Sequence, residues 1–201
     1  MKRIFLLCLV LLLSFGLVSC RKDSENSAES VTFDEENIEE YVKPFAYTGL
    51  TVELSSADSL RSEAVWRAVL DHAEILAYPE DLVAYYVEQG RDTYRYYAEE
   101  NDWSYEQTLE FFSVTEEKIL EEARQMVKGD LVYRYIVKNA EISLSDEEKT
   151  AQFDRYVQKF SEGYGYAEEY VVENMSELIY DSMLYDKTME YLIVNNTFVG
   201  K

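Results

Sequence analysis

Few side chains in this sequence are of a type that carries catalysis. His72 is the single histidine, and the spacing of Val69 and Ala73 places it on a predicted amphipathic helix. A catalytic imidazole needs a nucleophile or a carboxylate partner, and the neighbouring Asp71 and Glu74 project from other sides of such a helix. The seven glycines form neither a phosphate-binding loop nor a nucleophile elbow. We therefore interpret His72 as a structural or surface residue and predict no catalytic residues.

The N-terminal stretch has the pattern of an export signal. Lys2 and Arg3 precede an apolar run over residues 4–18, which is shorter than the roughly 20 residues that a membrane-spanning helix needs. The run ends in Leu-Val-Ser-Cys, which resembles the lipobox of bacterial lipoproteins. We predict a signal peptide over residues 1–19 and lipidation of Cys20; a cysteine that ends an apolar run by chance is the alternative.

This interpretation removes thiol chemistry from the predicted mature chain. Cys8 leaves with the signal peptide and Cys20 carries lipid, so we expect no disulfide, thiolate metal site or cysteine nucleophile. Neighbouring acids could serve as general acid and base or bind calcium, but their places at helix starts and on polar faces favour solvated helix ends. These pairs are Glu99-Glu100, Glu116-Glu117 and Glu168-Glu169. We predict no metal site and no cofactor.

The net charge argues against two classes of partner. The chain has 40 acidic and 19 basic residues, a net charge of −21, and loss of Lys2 and Arg3 makes the predicted mature chain more negative. Such a surface repels phosphate backbones and anionic lipid headgroups. We therefore expect no nucleic-acid binding, and we expect the lipid, rather than surface charge, to hold the protein at a membrane.

Three segments follow the predicted signal peptide. Residues 20–37 are rich in Ser, Glu, Asp and Asn, which is typical of a flexible tether. Residues 38–57 include a partly alternating stretch from Tyr47 to Leu54, which predicts a short extended segment or strand. Residues 58–199 have the apolar spacing of helices throughout, so we predict an all-α domain there.

Capping residues and apolar periodicity divide this domain into six predicted helices. Ser104 and Ser145 each precede a Gln or Glu at the third following position, which is the pattern of a capping box. The predicted helices run from Asp58 or Ser59 to Leu76, from Pro79 to about Asn101, from Ser104 to Phe112, from Thr115 to about Ala140, from Ser145 to Gly163 and Gly165, and over residues 167–199 with an interruption near Asn174.

Two of these helices, within residues 117–166, carry apolar stripes on either side of a short break. We expect the two stripes to face each other and to form a helical hairpin. The first stripe is Leu120, Ala123, Val127, Leu131 and Tyr135, and the second is Phe153, Tyr156, Val157, Phe160 and Tyr164.

Aromatic residues are abundant for an all-α domain, with 18 tyrosines and nine phenylalanines. Tyr94, Tyr96 and Tyr97 place rings on several sides of one predicted helix. Tyrosine combines apolar area with a polar tip, which suits a wet and adaptable surface. Core packing explains any single ring, whereas the excess as a whole favours a binding surface.

The order of these segments resembles the C-terminal domain of trigger factor, a bacterial chaperone. The resemblance covers about 120 residues, from Tyr78 to Val199. Each sequence motif in this resemblance is degenerate by itself, but the order and spacing of the motifs together are more specific. They are Tyr78-Pro79-Glu80-Asp81-Leu82-Val83, the capping box at Ser104 with Leu109 and Phe111, the helix through Ala123, Val127 and Leu131, the break at residues 141–148, Tyr164-Gly165, and Met183-Leu184-Tyr185-Asp186-Lys187 with Leu192.

The resemblance implies a multi-helix body with helical arms, similar in shape to the periplasmic chaperone SurA and the lipoprotein foldase PrsA. Residues 47–53 and the helix that follows resemble the segment leading into trigger factor's FKBP-like prolyl isomerase domain. Only a few residues separate His72 from Pro79, so we expect that domain, and isomerase activity with it, to be absent. The ribosome-binding domain and its Gly-Phe-Arg signature are also missing, so no ribosome partner is expected.

The family feature that the resemblance implies for this chain is a helical cradle that holds unfolded chains. We therefore predict an extracytoplasmic, lipid-anchored chaperone that binds newly exported polypeptides without ATP. A lipoprotein scaffold that holds one envelope partner is the alternative, and a prolyl isomerase is a weaker one. The residues predicted to contact clients are Tyr85, Tyr96, Trp103, Phe111, Phe112 and Met183.

Overall fold

The computed structural model describes residues 35–54 and 60–200. Helices dominate this part of the chain, which confirms the all-α prediction. A 3-10 helix at Glu35–Glu40 comes first, so residues 35–37 of the predicted tether belong to it. The elements that follow are β1 (Thr51–Leu54), α1 (Arg61–His72), α2 (Glu80–Glu100), α3 (Tyr105–Phe112), α4 (Glu116–Asn139), α5 (Asp146–Tyr164), α6 (Glu168–Asn174), α7 (Ser176–Val194) and β2 (Thr197–Gly200).

The predicted caps begin three of the helices. The Ser104 hydroxyl accepts a hydrogen bond from the Gln107 N–H at 3.2 Å, and the Gln107 side chain accepts one from the Ser104 N–H at 2.8 Å. Ser145 and Glu148 make the same reciprocal pair, also at 3.2 and 2.8 Å. Thr115 caps α4 through the Lys118 N–H at 3.2 Å. Each cap satisfies donors that the first helical turn leaves without a partner.

The helix α1 differs from its prediction at both ends. Its N-cap residue is Leu60, which makes no side-chain capping bond, and the predicted caps Asp58 and Ser59 lie outside the described residues. The helix ends at His72 rather than at Leu76, because the chain turns extended at Ala73 and Ile75 forms a bridge with Val42. The apolar spacing of Ala73 and Leu76 mimicked one more helical turn.

Helices α2, α3 and α4 pack together, and we call them the first helix group. α2 lies along α4, and α3 packs against α2. Gly90 permits the close approach of α2 and α4, since a Cβ atom at this position would lie 3.0 Å from Cγ2 of Ile119. Burial of Leu82, Ile119 and Ala123 completes the interface.

Helices α5, α6 and α7 pack together as the second helix group, which shows that the predicted hairpin of α4 and α5 is wrong. The stripe of α4 faces mainly α2, whereas α5 packs against α6 and α7. The link between α4 and α5 is bound to α7 by Lys187, whose Nζ donates to Ser143 O at 2.8 Å and to Glu148 Oε1 at 2.6 Å. An apolar stripe requires a buried face but does not specify the partner, and the long-range partners here outcompete the sequence neighbour.

A small base joins the start of the described chain to its end. β1 pairs in parallel with β2, and α1 packs against β1 and α7. The side chain of Asn196 fastens this pairing: its Oδ1 accepts from Leu50 N at 2.7 Å, and its Nδ2 donates to Tyr47 O at 3.1 Å. The strand β2 corrects the prediction of helix as far as residue 199, because these last residues gain a strand partner 146 positions away in the chain.

The predicted signal peptide, Cys20 and the tether as far as residue 34 lie outside the described residues. Within the described part, no helix is both long enough and apolar enough to cross a bilayer.

Candidate functional site

Six aromatic side chains meet where α2 ends and α3 lies against it, and we call them the tip cluster. The C-terminal half of α2 supplies three tyrosines, the turn between the helices supplies a tryptophan, and the end of α3 supplies two phenylalanines. The members are Tyr94, Tyr96, Tyr97, Trp103, Phe111 and Phe112.

The rings of the tip cluster form a continuous chain of contacts. Phe112 lies at its centre, with ring centroids 5.2 Å from Tyr97, 5.2 Å from Phe111 and 5.9 Å from Tyr94. Phe111 continues to Trp103 at 4.8 Å. These separations and tilted or edge-on angles are those of favourable aromatic pairs.

Local hydrogen bonds order the turn between α2 and α3 and the helix that follows it. The turn before α3 is closed by the Trp103 N–H, which donates to Ala98 O at 2.9 Å, and Asp102 takes a positive φ of 53°. Thr108 is the fully buried residue of α3, and its hydroxyl donates to Ser104 O at 3.1 Å. Phe111 lies in the last turn of α3 and is exposed to solvent.

The tip cluster is exposed to an unusual degree for large aromatic side chains. Phe111 is 66% exposed, Tyr96 50% and Phe112 41%. Leaving such apolar area in water forgoes about 25 cal/mol for each Å². A contiguous exposed apolar surface of this kind marks an interaction site in soluble proteins.

A network of charged groups holds α3 and α4 together beneath the tip cluster. The Tyr105 hydroxyl donates to Glu116 Oε1 at 2.7 Å, and Arg91 Nη2 lies 2.8 Å from Glu116 Oε2. Burial, followed by the bond to Glu116, raises the pKa of Tyr105 to about 12. The same hydroxyl, followed by Arg91, lowers the pKa of Glu116. Both pairings are therefore intact at neutral pH.

Exposed acids surround the aromatic surface. They lie at the end of α2, in the turn and on the outer face of α3, and no basic residue occurs between Arg95 and Lys118. The acids are Glu99, Glu100, Asp102, Glu106 and Glu110. The aromatic surface is thus apolar at its centre and negative at its rim.

Four of the residues predicted to contact clients lie together in the tip cluster: Tyr96, Trp103, Phe111 and Phe112. Tyr85 lies apart, exposed on the first half of α2 with its ring 5.3 Å from Tyr86. Met183 is 2% exposed, so its predicted surface contact is wrong. It occupies the buried face of α7, one turn from the fully buried Ile179.

The second helix group carries a further set of aromatic residues, none of which was predicted to contact clients. Phe160, Tyr164, Tyr166 and Tyr170 form a chain of rings across the turn from α5 to α6, with centroid separations of 5.6, 6.5 and 4.9 Å. We call it the turn cluster; its three tyrosines are exposed. The spacing of Phe160 and Tyr164 on one helix face, followed by Gly165 in the left-handed conformation, was the signal that could have identified it.

The described residues offer little for catalysis. His72 is exposed, and its Nδ1 lies 2.7 Å from Ala68 O within its own helix. No group of three or more His, Cys, Asp or Glu side chains within residues 35–54 and 60–200 could hold a metal ion.

Comparison with known proteins gives one family. Residues 53–194, from β1 to the last residue of α7, match the model of the bacterial trigger factor protein (TF) C-terminus. No curated protein and no solved structure matches the chain. The match spans well over half of the sequence and ends where the helical part ends. The chain belongs to the trigger factor C-terminal family.

Proposed function

We propose that this protein is an ATP-independent, lipid-anchored chaperone that binds unfolded exported polypeptides outside the cytoplasm. Membership in the trigger factor C-terminal family supports a chaperone-like role. The matched domain is of chaperone type and not a catalytic one. The structure of the tip cluster supports the client-binding part of the proposal, and the sequence of residues 1–20 supports the anchor.

The observation that carries the proposal is the exposure of Phe111, Phe112 and Tyr96 on one surface. An unfolded client offers apolar side chains that gain free energy when they leave water, and exposed rings provide a site for that transfer without a shaped pocket. Such contacts are weak singly, because each side must also lose side-chain freedom. Weak contacts suit a chaperone that must release its client without ATP.

The turn cluster supplies a second contact surface. The tip cluster and the turn cluster lie on different helix groups, and an unfolded chain is long enough to touch more than one surface. Once a client is held at one cluster, its second contact becomes intramolecular, so the combined affinity exceeds that of either cluster.

The acidic residues around the tip cluster influence which clients bind and keep the protein soluble. The negative rim attracts basic segments and disfavours acidic ones. With a net charge of −21, copies of this chain repel one another, which offsets the tendency of exposed aromatic rings to self-associate.

Suppression of client aggregation tests the proposal. The full-length protein in detergent micelles is mixed at micromolar concentration with a chemically unfolded client, and light scattering follows aggregation. We expect slower aggregation than in matched empty micelles, without ATP. Unchanged scattering for several clients of different sequence would rule out the holding activity.

A proline-limited refolding assay on the same preparation tests the absence of isomerase activity that the proposal includes. Uncatalysed prolyl isomerisation takes tens to hundreds of seconds. We expect the slow phase to keep its rate constant; acceleration in proportion to protein concentration would contradict this part of the proposal.

A further inference from the structure

One carboxylate links the three helices of the first helix group. Glu116 lies in the first turn of α4, and each of its two oxygens accepts from a different helix. Oε1 accepts a hydrogen bond from the Tyr105 hydroxyl of α3 at 2.7 Å, and Oε2 accepts one from Arg91 Nε of α2 at 2.9 Å. Arg91 Nη2 lies 2.8 Å from the same oxygen, Oε2. Glu116 therefore connects α3 with α2 as well as with α4.

A second arginine holds the ring of Tyr105 from the side of α2. Arg95 Nη1 donates to Asp92 Oδ1 at 2.7 Å and also pairs with Glu88, so neighbouring acids of α2 fix this guanidinium. The guanidinium lies over the Tyr105 ring, 6.0 Å from its centroid, where cation–π attraction acts. Tyr105 is therefore held at its hydroxyl by α4 and at its ring by α2.

Packing by itself holds α3 only weakly. The helix is eight residues long, whereas isolated helices shorter than about 12 residues are marginal in water. Its one buried residue is Thr108, and the large apolar side chains of its last turn, Phe111 and Phe112, are exposed. Segments with few buried apolar contacts open at low free energy. The polar contacts of Tyr105 therefore contribute a large part of what fixes the place of α3.

The surface formed by the tip cluster depends on the place of α3. Phe112 contacts Tyr94 and Tyr97 of α2, and Phe111 contacts Trp103 of the turn. These pairs join rings on different elements, so movement of α3 away from α2 separates them. A divided cluster offers a client two small apolar areas in place of one continuous area.

We propose that Glu116 is a positioning residue for client binding. By holding Tyr105 and Arg91 on one carboxylate, it keeps the two phenylalanines of α3 in one surface with the rings of α2. When this link is cut, fewer molecules present the complete surface, and the apparent affinity for clients falls in proportion. This inference rests on the proposed client-binding function of the tip cluster.

The affinity of Glu116→Gln for a client tests this role. Fluorescence anisotropy of a labelled, permanently unfolded client is measured with the full-length protein in detergent micelles. The amide keeps the shape of the side chain but loses the charge and turns an N–H group toward the donors, so we expect roughly 3- to 10-fold weaker affinity. Glu117→Gln removes the same charge from the next position of the same turn and should bind clients as the wild type does. Unchanged affinity in Glu116→Gln, or an equal loss in Glu117→Gln, would overturn the proposal.

The Phe111→Ala background distinguishes positioning from a general loss of stability. A residue that acts through Phe111 loses much of its influence once that ring is absent. We therefore expect Glu116→Gln to weaken binding by a smaller factor in Phe111→Ala than in the wild type, and an equal factor would overturn the proposal. Tyr105→Phe, which removes only the hydroxyl, is a second variant should Glu116→Gln fold poorly. We expect it to weaken binding roughly 2- to 5-fold, and unchanged binding in Tyr105→Phe would likewise contradict the role.

Quenching of Trp103 by acrylamide tests the position of α3 without a client. The chain has two tryptophans, so each variant is made in a Trp66→Phe background. The ring centroids of Trp103 and Phe111 lie 4.8 Å apart, and we expect stronger quenching in Glu116→Gln than in Glu117→Gln, because movement of α3 uncovers the indole. Unchanged quenching in a protein that binds clients would overturn the positioning role alone. A wild type that binds no client would instead refute the proposed function and, with it, the role in client binding.

Discussion

Replacing Phe111 by alanine separates client binding from folding, because most of this side chain contacts nothing in the folded protein. Phe111 is 66% exposed, so about one third of its surface takes part in packing, against Trp103 and Phe112. Removing a fully buried phenylalanine costs about 3–5 kcal/mol. One third of that is roughly 1–1.5 kcal/mol, which lowers the Tm of a chain of this size by about 3–5 °C.

The expected loss of client-binding free energy is comparable to the loss of folding stability, and it is measured separately as weaker affinity. Fully burying a phenylalanine contributes about 1.5–3 kcal/mol, and about two thirds of the Phe111 side chain is free to be covered by a client. The loss is then roughly 1–2 kcal/mol, which corresponds to about 5- to 30-fold weaker affinity. Fluorescence anisotropy of a labelled, permanently unfolded client measures this loss directly.

The matched control is Val194→Ser at the end of α7. Val194 is 74% exposed and belongs to neither aromatic cluster, so it tests whether any exposed apolar residue serves equally. We expect its client affinity to equal that of the wild type. An unchanged affinity for Phe111→Ala, or an equal loss in Val194→Ser, would refute the assignment of client contact to the tip cluster.

Three further predictions follow from individual residues. Ser145→Ala removes the cap of α5 and should lower the free energy of unfolding by about 1 kcal/mol, which lowers the Tm by about 2–4 °C. Circular dichroism below the unfolding transition should show the same helix content as the wild type. Lys187 is the main reason that the pKa of Glu148 falls to about 2. Because the Glu148 carboxyl is more acidic in the folded than in the unfolded protein, the ionised carboxylate stabilises the fold above about pH 4.5, and this stabilisation is lost as the pH falls toward 2. The Tm difference between the wild type and Glu148→Gln should therefore close over that interval. A constant Tm difference would contradict the pairing of Lys187 with Glu148. Cys20→Ser should move the protein from the membrane pellet to the soluble fraction, and retention in the pellet would contradict a lipid anchor.

Local patterns predicted those features whose cause lies within a few residues. The caps at Ser104, Thr115 and Ser145 need only a hydroxyl and the backbone three positions on, so they were visible in the sequence. The interruption of the last helix near Asn174 was also predicted, and the structure places it at Met175. The end of α1 was missed, because the bridge between Val42 and Ile75 that stops the helix is a long-range contact.

The candidate site was likewise predicted only in part from local sequence patterns. Composition and spacing selected Tyr96, Trp103, Phe111 and Phe112 as candidates, since aromatic excess is a property of the sequence. Their union on one surface depends on the packing of α3 against α2, which no local pattern specifies. Met183 was misjudged because a thioether on a helix has the same spacing whether its face meets solvent or the core.

The sequence by itself determined helix content, most helix starts, the acidic charge and the family resemblance, because each depends on local propensity, composition or the order of motifs. Tertiary structure alone decided which helices are partners and which aromatic side chains stay in water. The physical reason is that an apolar stripe gains nearly the same free energy against any complementary face. The choice of partner depends on the packing of the whole chain.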